Sequence, residues 1–181
     1  MKARTKILLV ALAAMTAAGP ALAANPLTIT KTLSVSSDPV DLALPKAIPG
    51  AVIAYTITVR NPNLATTPSN VVVTDSINTL AIPQGAEYYV GTGTDNPLVF
   101  SDGLAGLGVA GSGLTYTWTR LNSTTDSVAF SCDGGLTWTC TPSPDADGYD
   151  PAVTNIRVSF SNTFAVLGGF TLGLRVRVKT S

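Results

Sequence analysis

Asp145, Asp147 and Asp150 place three carboxylates within six residues around Gly148. Hard oxygen ligands at alternate positions beside a turn are what Ca²⁺ takes, so these three are a candidate calcium set. The stretch lacks the terminal bidentate glutamate of an EF-hand loop. Its alternative reading is a solvated acidic turn between Pro144 and Pro151. Paired carboxylates also serve glycosidases as acid and base, which makes a hydrolase working through this loop a third reading.

Cys132 and Cys140, the only cysteines, flank the Asp133-Gly134-Gly135 turn with seven residues between them. That spacing predicts a disulfide across neighbouring strands; a reactive thiol or metal pair is the alternative, without a histidine or a third cysteine to support it. Tyr88, Tyr89, Tyr116 and Trp118 are either core residues or a sugar-binding platform. Arg175, Arg177 and Lys179 share one face of the last strand. They read as a soluble outer face guarding a sheet edge, with anionic polysaccharide as the sharper alternative.

The rest of the composition narrows the chemistry. Lys2, Arg4 and Lys6 precede the apolar run from Ile7 to Met15, and Ala21-Leu22-Ala23 is a small-residue cleavage site. Residues 1–23 therefore read as a secretory signal peptide, the run being too short for a membrane span. Cleavage leaves 8 basic against 11 acidic residues, a net charge of 8 − 11 = −3, and removes both methionines. The chain has no histidine. Imidazole metal sites, histidine bases and Ser-His-Asp triads are thereby excluded, and so is a basic nucleic-acid surface. An exported chain sits where disulfides form.

Positioning falls to strands. The chain is rich in Thr, Val, Ser and Gly and poor in Lys and Glu, Glu87 being the only glutamate, which is a β composition. Leu27, Ile29, Leu33 and Val35 alternate with polar residues, with Lys31 breaking the apolar face. Ile53, Tyr55, Ile57 and Val59 alternate in the strongest strand, residues 52–60, after the Pro49-Gly50 turn. Residues 70–77 form the next, where Val71 and Val73 share a face with Asp75. Short strands are expected at 87–90 and 98–101, then a glycine-rich loop whose Leu104, Leu107 and Val109 tuck onto the sheet. Further strands are expected at 114–119, at 128–132 and 137–141 as a hairpin, at 155–160, and at the end, where Phe170, Leu172, Leu174, Val176 and Val178 share a face. About ten short strands with turns between them read as an all-β sandwich with Greek-key connections, a single domain over residues 24–181.

Two motifs resemble known patterns. Ile48-Pro-Gly-Ala-Val-Ile-Ala-Tyr-Thr-Ile-Thr-Val-Arg-Asn61 followed by Ser69-Asn-Val-Val-Val-Thr-Asp75 resembles the bacterial surface-repeat family called domain of unknown function eleven. The resemblance implies an immunoglobulin-like sandwich exported to the envelope or exterior, and no chemistry. Many relatives are tandem arrays with a cell-wall anchor; a single copy without one is expected here. The motif residues read as structural: Pro49 and Gly50 for the turn, Tyr55 for the core, Asn61 and Asp75 for turn backbone groups at strand ends. Ser131-Cys-Asp133-Gly-Gly135-Leu-Thr137-Trp138 resembles the Asp-box of sialidase propellers, in which the aspartate caps a hairpin turn.

Together these features predict an exported, non-enzymatic structural or interaction protein at the cell surface, in the envelope or outside the cell. Its expected partners are other envelope proteins or copies of itself, with polysaccharide as a further candidate; no nucleic acid and no membrane span are expected. A carbohydrate-binding adhesin module and a hydrolase are the alternatives, and calcium is the only cofactor considered.

Overall fold

The computed structural model describes residues 25–77, 82 and 85–180. The expected signal peptide lies outside the described residues. Nine strands are described: β1 (Thr28–Ser37), β2 (Val52–Arg60), β3 (Val72–Ser76), β4 (Ala86–Tyr89), β5 (Leu98–Asp102), β6 (Val128–Ser131), β7 (Tyr149–Asp150), β8 (Asn155–Ser159) and β9 (Gly169–Val178). They form an all-β sandwich of two antiparallel sheets. The six-stranded sheet runs β1-β2-β9-β4-β7, with β5 also on β9; the three-stranded sheet runs β3-β8-β6. From β2 onward every connection except β4 to β5 crosses between the sheets.

The period-2 pattern of β2 and β9 sets the core. Tyr55 lies opposite Leu174 and Ile57 opposite Leu172, so both apolar faces point the same way. Ile53, Tyr55, Ile57, Val59, Phe170, Leu172, Leu174, Val176 and Val178 are all buried. They meet Val71, Val73, Val128, Phe130, Ile156 and Val158 of the facing sheet. Phe100, Phe160, Phe164 and Phe170 fill one end, with Phe160 and Phe170 centroids 4.9 Å apart. Before β2, Gly50 turns the chain at φ +83° and donates its N–H to the Val178 carbonyl.

Four local expectations are corrected. The last strand is not an edge: β9 lies between β2 on one side and β4 and β5 on the other. Residues 114–119 keep their alternation, with Leu114 buried and Tyr116 and Trp118 half-buried, but form no strand. Side chains take the N–H groups that a ladder would use: Ser127 Oγ accepts from Thr117, and Asp126 Oδ2 from Thr119 and Arg120. The second hairpin arm, 137–141, makes a single bridge, Cys140 to Phe130, because Asp133 captures the Thr137 N–H. Leu104 is buried under the glycine-rich loop, whereas Leu107 stands 71% exposed on a 3-10 turn.

Candidate functional site

The two sheets differ in width, and the difference exposes β1. Its register on β2 puts Ile29 opposite Val59, Lys31 opposite Ile57 and Leu33 opposite Tyr55. Ile29, Lys31, Leu33 and Val35 therefore share the core-facing side of the sheet. Three strands do not cover six: Ile29 and Leu33 are 59% and 64% exposed. Next to them, β3 is the terminal strand of the smaller sheet, with no strand on its outer side among the described residues. Exposed apolar surface and an open strand edge thus lie side by side.

One polar network crosses the sandwich at this place. Asp75, buried on β3, accepts from the Lys31 ammonium of β1 and from the Tyr88 hydroxyl of β4, the latter at 2.8 Å. The Lys31 ammonium also lies 4.7 Å from the Tyr55 ring centre. Burial, and then the Asp75 charge, push both the Tyr55 and Tyr88 hydroxyl pKa values upward, so both stay protonated. The sequence pattern places Asp75 at a turn; the structure sets it between the sheets instead. Asn61 does serve a turn, donating to the Thr66, Phe164 and Ala165 carbonyls and accepting from the Asn63 N–H.

The acidic loop folds onto the outer face of the six-stranded sheet. Arg177 donates to Glu87 through Nε and Nη2, and to Asp145 through Nη2 at 2.5 Å; Asp147 stands 3.4 Å from its Nη1. Arg175 stacks on Tyr89, Arg177 on Tyr149, and the two tyrosine rings meet edge to face at 5.4 Å. The Arg177 hydrogen bond, with backbone N–H groups, holds the Asp145 carboxyl below its ordinary pKa. Asp150 faces elsewhere, capping the N–H groups of Ser143 and Ala152. The three aspartates are not brought together, and among the described residues no cluster of three or more His, Cys, Asp or Glu is placed to hold a metal ion.

Cys132 and Cys140 form a disulfide with Cα atoms 5.7 Å apart. At the loop it closes, Asp133 accepts from the hydroxyls of Ser131, the last residue of β6, and of Thr137 and from the Thr137 N–H, while Ser131 Oγ accepts from the Gly135 N–H. The Ser131 hydrogen bond, followed by those from Thr137, lowers the Asp133 carboxyl to about 2. Of the four aromatics read as core or as a platform, Tyr88 is buried, Tyr89 is held in the arginine stack, and Tyr116 packs on Phe100 and Phe160. Trp118 alone of the four borders an open cleft, where Trp138 joins it. Sequence reasoning missed that pairing, although the two are the only tryptophans in the chain.

No family model, curated protein or solved structure matches the chain. Among the described residues no helix is long and apolar enough to cross a membrane.

Proposed function

We propose that the chain is an exported, non-enzymatic interaction protein of the bacterial cell surface or envelope, acting through its sheet edges on copies of itself or on other envelope proteins. The observation that carries this reading is the uncovered inner face of β1, with Ile29 and Leu33 exposed beside the open edge of β3. A strand laid along the outer side of β3 would extend the smaller sheet and cover both side chains at once. The signal-like N-terminus, the disulfide and the resemblance of residues 48–61 and 69–75 to exported surface repeats support the compartment.

The test joins cell fractionation with sedimentation velocity on residues 24–181. The protein is expected in the envelope or medium, and its sedimentation coefficient is expected to rise with concentration in the wild type but not in Leu33→Lys. Recovery in the cytosol would overturn the reading. So would a protein that stays monomeric at high concentration and does not bind isolated envelopes.

A further inference from the structure

Both tryptophans of the chain border one cleft of about 410 Å³ on the outer face of the three-stranded sheet. Ala129 of β6 and Arg157 of β8, cross-strand partners, lie in its floor. Trp118 closes one side, its ring pinned by a 3.0 Å hydrogen bond from Nε1 to the Thr94 carbonyl. Trp138 closes another, with the Arg157 guanidinium stacked 4.6 Å from its ring centre. The volume falls within the range of small-ligand sites, roughly 300–1,000 Å³.

Two lining residues carry buried polar atoms without a protein partner: Asp126 Oδ1, an acceptor, and Arg157 Nε, a donor. Buried polar atoms of this kind are rare in folded proteins and call for an explanation. Their opposite charges balance, and no other ionisable residue lines the cleft. A ligand matched to it is therefore uncharged, both donates and accepts hydrogen bonds, and offers a flat C–H surface to an indole. A pyranose has all three properties: hydroxyls that pair with carboxylate and guanidinium, and an axial C–H face that stacks on tryptophan. An anionic sugar would meet Asp126 without a compensating second cation. A peptide strand would seek unpaired backbone groups along a strand edge, whereas β8 is paired on both sides and the outer edge of β6 is crossed by the bridge from the Cys140 N–H to the Phe130 carbonyl.

We infer that the Trp118–Trp138 cleft is a binding site for a neutral sugar unit of a polysaccharide, held by stacking on the tryptophans and by hydrogen bonds to Asp126 and Arg157. The site is separate from the sheet edge of β1 and does not depend on it.

Intrinsic fluorescence tests this directly, since every tryptophan in the protein reports on the cleft. The mature chain is titrated with maltohexaose, cellohexaose, laminarihexaose and chitohexaose, and with polygalacturonate as the anionic comparison. At least one neutral oligosaccharide is expected to change the emission saturably and to protect it from acrylamide. Trp118→Ala should weaken that binding by about tenfold, the loss of one aromatic stack. Ala129→Trp, which fills the floor from an already half-exposed position, should abolish it while leaving the melting temperature near wild type. Leu33→Lys should bind the sugar unchanged, so failure at the sheet edge and failure at the cleft are read separately. No saturable response to any neutral probe would overturn the inference, as would tighter binding of polygalacturonate or full binding by Ala129→Trp.

Discussion

Lys31, on the exposed edge strand β1, is paired with Asp75, buried in the opposite sheet. The two differ in their access to water. The lysine side chain keeps 27% of its surface, the aspartate 8%. Lysine can return its charge to solvent when the pair breaks; the carboxylate cannot, and retains only the Tyr88 hydroxyl. The pair ties β1 across the sandwich where its own apolar side chains are left uncovered.

Unequal costs should follow on removing either partner. Lys31→Met leaves a buried carboxylate and should destabilise the fold by about 3 kcal/mol. Asp75→Val orphans the Tyr88 hydroxyl and should cost about 1–3 kcal/mol. The double variant should lose less than the sum, by about 1 kcal/mol or more. Urea unfolding of the four proteins measures this, and strictly additive losses would show that the pair is not coupled.

Acid should unfold the protein by way of its capping aspartates. The Asp133 carboxyl sits at about 2 in the folded chain against 3.8 for the free group, and those of Asp38 and Asp145 are lowered too. A depressed pKa contributes stability above the unfolded value and loses it as pH falls through the folded one. Stability should thus be level near neutrality and decline from about pH 5 towards about pH 2. Asp133→Asn should flatten part of that decline, read from melting temperatures across the range. An identical slope in the variant would remove Asp133 from the account.

Reduction of the Cys132–Cys140 bridge should cost about 2–3 kcal/mol, because the loop it closes is short. Alkylation of the native exported protein without prior reduction, followed by mass spectrometry, should find neither cysteine modified.

Arg177→Gln should release the acidic turn from the sheet. The variant loses bonds to Glu87 and Asp145 and the stack on Tyr149. NMR titration should show the Asp145 carboxyl returning upward toward its ordinary pKa, and limited proteolysis should cut within residues 143–148 faster than in the wild type. An unchanged Asp145 titration would show that backbone N–H groups alone depress it.

At the centre of the core, Ile57→Ala should cost about 2–5 kcal/mol by the cavity it leaves. Ile57→Asp should yield no folded protein, since Ile57 is buried on β2 and the one cation opposite it, Lys31, is already held by Asp75. A cooperative melt of Ile57→Asp near the wild-type temperature would contradict the register of β2 on β9.

What the sequence determined by itself was local. Alternation at Ile53–Val59 and Phe170–Val178 specifies which side of each strand is buried, because the pleat turns successive side chains to opposite faces whatever lies beside them. The Ser131–Trp138 turn is equally legible, since the hydrogen bonds made by the Asp133 carboxylate and the Ser131 hydroxyl run between residues at most four apart. Pairing is not local, and there the tertiary structure decided. The charged stripe of β9 looks like a guarded edge until Glu87 and the acidic turn neutralise Arg177 and β2, β4 and β5 flank the strand. Residues 114–119 alternate as a strand should, yet the side chains of Asp126 and Ser127 take their N–H groups and no ladder forms. Lys31 and Asp75 each look like a flaw in an apolar face. Only folding, by bringing residues 44 positions apart into contact, makes each the reason for the other.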